Sequence, residues 1–167
     1  LARYDGVRYT RRSSSAHTVS DVFTKSRTEG FGAEVRRRIL IGTFVLSSGY
    51  YDAYYLKAQK VRTLIRKDFS DALRRVDVIA SPTSPTPAFE IGSKTSNPLE
   101  MYLSDAFTVS ISIAGLPALV IPSGFTKQNL PLGLQLIGKP FDETTLLRAG
   151  HSFEAETKYF EKEPDGL

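Results

Sequence analysis

Forty residues, from Gly30 to Phe69, leave this chain the least freedom: GFGAEVRRRILIGTFVLSSGYYDAYYLKAQKVRTLIRKDF. They read as two successive helices parted by Ser47-Ser48-Gly49. The first spans roughly Ala33 to Leu46 and the second roughly Tyr51 to Arg75. In the second, Tyr54, Ala58, Val61, Ile65, Phe69, Ala72 and Val76 recur every three or four residues. Lys60, Lys67, Asp71 and Arg74 fall on the other side, so one face is expected to be apolar. In the first, Arg36, Arg37 and Arg38 precede an apolar run. Three consecutive helical residues fan over about 200°, which turns at least one arginine toward the apolar face. Arg38 has Gly42 four residues on. Glycine costs about 1 kcal/mol against alanine in a helix, and one reason to carry it is to leave room beside a neighbour. A guanidinium beside such a space suits a carboxylate, whose two oxygens match its fork. A solvated or ion-paired surface triplet is the competing reading, and periodicity alone favours it.

The rest of the chain alternates textures. Leu1 to Ser20 is polar, with a short strand expected at Val7–Tyr9. Ser20 or Asp21 is expected to cap a short helix through Arg27. Val76 to Ala80, Ala118 to Ile121 and Leu134 to Ile137 are apolar runs that read as buried strands. Ser81-Pro82-Thr83-Ser84-Pro85-Thr86-Pro87 is expected to be loop, because proline cannot donate to a central ladder. Asn97-Pro98-Leu99-Glu100 starts a further helix. It runs, with a break, to Gly115, and Asp142 caps a last one to about Thr157. The aromatic cluster Tyr50, Tyr51, Tyr54 and Tyr55 fits core packing or a partner-facing patch. Helices mixed with apolar strands imply an α/β fold with a covered sheet.

The chain of 167 residues fits one domain. It has no cysteine, which excludes disulfides, a thiol nucleophile and a Cys-based zinc site. No apolar run approaches the roughly 20 residues that span a bilayer. Residues 1–75 carry sixteen Lys and Arg against seven Asp and Glu, whereas the remainder is net acidic. Those cations lie on amphipathic helices among acids, which favours a solvated face over a nucleic-acid surface. His17 and His151 are isolated, and no metal-ligand spacing occurs.

Four blocks carry a resemblance. They are SRTEGFGAEVRRRILIGTFVLSSGYYDAYYLKAQKVRTLI, ASPTSPTPAF, MYLSDAFTVSISIAGLPALVIPSGF and LPLGLQLIGKPFDETTLLRAGHSFE. In that order they resemble the amidase signature family, and within it the glutaminase subunits of tRNA-dependent amidotransferases. The resemblance implies an α/β fold in which a mixed sheet is flanked by helices. It implies that residues 1–167 are the C-terminal portion of such a domain. The family nucleophile, a second serine in a cis peptide and a lysine base are then expected upstream of residue 1. Ser13-Ser14-Ser15, Ser47-Ser48 and Ser123-Gly124 lack the Gly/Ser-rich frame of that motif, so no catalytic residue is assigned here. What the resemblance places in this chain is substrate binding. Arg38 corresponds to the arginine that takes the α-carboxylate of glutamine, and Asp105 to the aspartate that takes its α-amino group. In that family the released ammonia passes to a partner subunit, which uses ATP and magnesium to amidate Glu-tRNA(Gln) and sometimes Asp-tRNA(Asn). A small third subunit wraps the two. The implied compartment is a bacterial cytoplasm, a mitochondrion or a plastid. A general amidase and a non-catalytic binding or scaffold domain are the alternatives.

Overall fold

Where the backbone turns decides what each half of the chain becomes. The computed structural model describes residues 5–94 and 98–163. It divides into two compact units, Leu1–Gln59 and Lys60–Leu167.

The first unit opens with a knot of bends. Gly6 and Thr10 both take left-handed backbone, with φ of 80° and 67°. The Gly6 N–H donates to the Tyr9 carbonyl at 3.2 Å. The Arg12 guanidinium donates to the carbonyls of Gly6 and Val7 at 2.9 and 3.1 Å. The strand expected at Val7–Tyr9 therefore does not form: its carbonyls serve a side chain, and both flanks turn away. Helix α1, Val19–Gly30, starts two or three residues earlier than expected and ends three later. Thr18 is the cap, accepting from the Asp21 N–H at 3.1 Å. The Asp21 carboxylate reaches back to the His17 N–H, and this bond, aided by Lys25 and Thr18, holds its carboxyl below the usual range. Ser26 ties the knot to the helix by accepting from the Ser13 N–H at 3.0 Å.

That tie has a measurable consequence. A Cβ on Gly6 would stand 2.5 Å from Ser26 Oγ, on backbone that side chains seldom adopt. Gly6→Ala is expected to destabilise the first unit by about 2 kcal/mol, strain and overpacking together. Gly30→Ala, where a Cβ meets nothing within 4 Å, should stabilise it by up to about 1 kcal/mol. Urea unfolding of the two variants should move in opposite directions. A shared sign would show that the knot does not hold α1.

Helix α2, Ala33–Val45, begins at Gly32 and buries none of its residues. The apolar face expected for the arginine triplet exists, but Leu40 stays 70% exposed and Ile41 54%. The second long helix is also not one piece. Tyr51–Leu56 is a π-helical segment, and α3 proper runs Lys57–Leu73. Its apolar stripe is graded: Tyr54, Val61 and Val76 are exposed, whereas Leu73 is buried.

The second unit is built on a three-stranded antiparallel sheet in the order β1-β3-β2. Its strands are β1 (Val78–Pro82), β2 (Ala118–Phe125) and β3 (Pro131–Gly138). The apolar runs are thus strands as expected, each displaced or lengthened by a few residues. The proline rule fails at Pro82, which pairs with Leu134 at the end of β1. Edge position explains it, because an edge strand needs donors on one side alone. β2 contains a bulge between Pro122 and Gly124, after which Gly124 pairs with Leu132. Between β1 and β2 lie two short helices, α4 (Pro98–Leu103) and α5 (Val109–Ala114). The expected cap Asn97 lies outside the described residues. Helix α6, Glu143–Thr157, starts after Asp142, whose carboxylate accepts from the Thr145 hydroxyl at 2.8 Å.

α6 lies on the sheet face formed by Leu119, Ile121, Leu134 and Leu136, and these close the core around Leu146 with Val78, Ala149 and Phe153. Two glycines permit the approach. A Cβ on Gly138 would stand 3.0 Å from Leu146, and one on Gly150 would stand 2.5 Å from Leu119. On the opposite face Gln135 is buried, donating to the Ser81 hydroxyl and the Phe107 carbonyl. No helix among the described residues is long and apolar enough to cross a membrane.

Candidate substrate-binding site

Arg38 sits in the second turn of α2, in the first unit. Glu34, one turn earlier, engages one N–H of its guanidinium: Arg38 Nε donates to Glu34 Oε1 at 3.0 Å. Arg37 donates to the other oxygen, Oε2, at 2.6 Å. Both pairs follow from i,i+3 and i,i+4 spacing. Arg38 remains 65% exposed, so the pair is worth little as stability. Its meaning is chemical. The guanidinium already holds a carboxylate through one of its N–H groups. Glu34 is the partner that sequence reading passed over, although its spacing to Arg38 was on view. Gly42 leaves open space: nothing lies within 4 Å of a Cβ built there.

Asp105 sits in the second unit, in the turn between α4 and α5. It is neither mid-helix nor a side-chain cap. Its N–H donates to the Tyr102 carbonyl at 3.1 Å. Its carbonyl accepts from the N–H groups of Thr108 and Val109, both at 3.0 Å. The backbone is thereby fixed while the carboxylate stays exposed, with no hydrogen bond or ion pair among the described residues. A fixed, exposed anion suits an ammonium ligand. Arg38 and Asp105 belong to different units.

Next to Asp105, Ser104 Oγ accepts from Lys94 Nζ at 3.0 Å. A serine beside a lysine invites comparison with a nucleophile and its base. Here the Ser104 hydroxyl donates to the Glu100 carbonyl, while the lysine acts as donor and also rests 3.9 Å from the Phe89 ring centre. The proton flow is reversed from what activation requires, and the contact works as a tether. The serines weighed from sequence are likewise engaged in structure. Ser13 donates to Glu29, Ser47 to the Phe44 carbonyl and Ser123 to the Leu132 carbonyl. The tyrosine cluster is not core: Tyr50 and Tyr54 group with Phe44, Tyr51 stacks on Tyr55 at 4.9 Å, and Tyr50, Tyr51 and Tyr54 are exposed. Among the described residues, no three His, Asp or Glu cluster so as to hold a metal ion.

Comparison with known proteins places this geometry in context. The family model described as Amidase matches residues 1–147. The A-subunit of glutamyl-tRNA(Gln) amidotransferase from Geotalea daltonii is 58% identical over 97% of this chain, which covers 33% of that protein. The crystal structure of the Thermotoga maritima A-subunit of the same enzyme aligns with a TM-score of 0.53 at 49% identity, over 74% of this chain and 27% of that one. A crystal structure of an amidase aligns with a TM-score of 0.65 at 27% identity, over 80% of this chain and 31% of that one. The chain therefore spans about a third of the length of the curated relatives that it matches.

Proposed function

This chain belongs to the amidase family, and from that premise we propose that it is part of the glutaminase subunit of a tRNA-dependent amidotransferase. The carrying observation is the 58% identity, over 97% of the chain, to a glutamyl-tRNA(Gln) amidotransferase polypeptide. In this reading the whole subunit hydrolyses glutamine, and the ammonia converts Glu-tRNA(Gln) to Gln-tRNA(Gln) on a partner subunit. ATP, magnesium and tRNA are handled by that partner, and a small third subunit wraps the pair. Residues 1–167 form the C-terminal portion of the amidase domain. The compartment is that of the translation machinery served: cytoplasm in a bacterium, mitochondrion or plastid in a eukaryote.

The chain's own role is to hold the donor. Arg38 takes the α-carboxylate, exchanging the Glu34 carboxylate for that of the substrate. Asp105 takes the α-ammonium on its fixed turn. One cation and one anion together select a zwitterion and set its side-chain amide for attack. Nucleophile and base come from the part of the relatives' length that this chain does not span. The 167 residues alone are accordingly expected to release no ammonia from glutamine, whereas a polypeptide of the relatives' full length should do so. Ammonia release by the two forms, with glutamine and with simple amides offered in turn, is the test. Turnover by the 167 residues alone, or a full-length form that prefers simple amides, would overturn the assignment.

A further inference from the structure

A second polar feature lies away from Arg38 and Asp105, wholly inside the second unit. One face of α3 presents Thr63, Arg66, Lys67 and Ser70 at helical spacing, and Arg74 follows in the turn after it. With Leu73, Ala114, Leu116, Lys139 and Pro140 they line a cleft of about 540 Å³. Its walls are pinned. Arg62 Nε donates to the Ile113 carbonyl at 2.8 Å and joins α3 to α5. The Gly138 N–H donates to the Pro117 carbonyl at 3.1 Å and joins β3 to the turn after α5. Four cations converge on one cleft. Arg74 is engaged by Asp71 at 3.1 Å and Lys139 by Asp77 at 3.0 Å, both on the surface, where exchange of partners costs little. Arg66 and Lys67 have no ion pair among the described residues.

We infer that this cleft docks an acidic, amphipathic segment of a partner polypeptide. The charge on its rim requires an anionic occupant. Its apolar lining decides the class: Leu73 and Ala114 are buried, and Leu116 and Pro140 line the cleft with them. Single-stranded nucleic acid stacks its bases on aromatic platforms, and among the described residues no aromatic side chain lines this cleft. An apolar side chain seated on that lining, with carboxylates reaching Arg66 and Lys67, satisfies both parts. The inference does not rest on the glutamine-binding reading, since it uses none of the residues of that site.

The test is fluorescence anisotropy of the full chain with a labelled 15-residue helical peptide bearing glutamates on one face and leucines on the other. Its competitors are the same peptide with glutamine for glutamate and a short RNA duplex. The acidic peptide should bind, the glutamine version should bind at least tenfold more weakly, and added salt should weaken the acidic peptide. The pair Arg66→Glu and Lys67→Glu, both at exposed positions, should cost at least tenfold in affinity. A matched pair on exposed lysines elsewhere, Lys127→Glu and Lys158→Glu, should leave it unchanged. No binding, equal binding of the neutral peptide, or equal loss in the two charge-reversed pairs would overturn the inference. Tighter competition by the RNA duplex would reassign the cleft to nucleic acid. Loss of peptide binding in a polypeptide of the relatives' full length would reassign it to the same polypeptide.

Discussion

Arg38→Ala, placed in a polypeptide of the relatives' full length, is expected to raise the glutamine concentration for half-maximal turnover about 30-fold. The figure follows from about 2 kcal/mol for a hydrogen-bonded contact to a charged group, at tenfold per 1.4 kcal/mol. Arg38→Lys keeps the charge but loses the fork, so it should recover part of the loss. Arg36→Ala and Arg37→Ala should cost far less. Glu34 gives the experiment a second direction. Its carboxylate accepts from Arg38 Nε at 3.0 Å, so in the proposed reading it competes with substrate. Glu34→Gln should tighten glutamine binding about two- to fivefold, the worth of an exposed ion pair. With free ammonia as nitrogen donor, none of these variants should differ, because ammonia needs no α-carboxylate contact. Equal losses at all three arginines, or equal losses with ammonia, would make the triplet structural and remove Arg38 from the site.

Leu146→Ala is expected to destabilise the second unit by about 2–5 kcal/mol, the cost of a buried leucine and the cavity it leaves. Leu146 is 2% exposed and sits against Gly138, so the bare glycine cannot swell to fill the gap. Leu147, the next residue on α6, is 60% exposed and should tolerate alanine within about 0.5 kcal/mol. Denaturant midpoints followed by circular dichroism separate the two. Similar losses at both positions would mean that α6 does not pack on the sheet through Leu146.

Much of this was legible in the amino-acid order, and the misses have physical causes. The two helices parted at Ser47–Gly49 announced themselves by periodicity and glycine. The three strands announced themselves as apolar runs. Pro82 was misplaced because a run of residues carries no sign of whether its strand is central or at an edge. The exposure of α2 was not legible either: Leu40, Ile41 and Phe44 form an apolar run whose order does not say which part of the polypeptide covers it. The π-helical segment has no signature in Tyr51-Asp52-Ala53-Tyr54-Tyr55-Leu56. Arg38 and Asp105 were reached through family resemblance, since neither an arginine triplet nor a lone aspartate singles itself out. The i,i+4 partner Glu34 needed no resemblance at all.

The irregularity in β2 acts as a notch in a key. Strand pairs with uniform alternation can slide by two residues and still keep their apolar faces aligned. Here the extra residue Ser123, between Pro122 and Gly124, must meet the interval between Gly133 and Leu132. A slid hairpin moves the notch away from Leu132, whose carbonyl accepts from the Ser123 hydroxyl at 3.2 Å, and loses that bond. A register that keeps the apolar faces aligned is therefore still disfavoured at the notch. The same kink that interrupts the ladder thus pins the register of the pair.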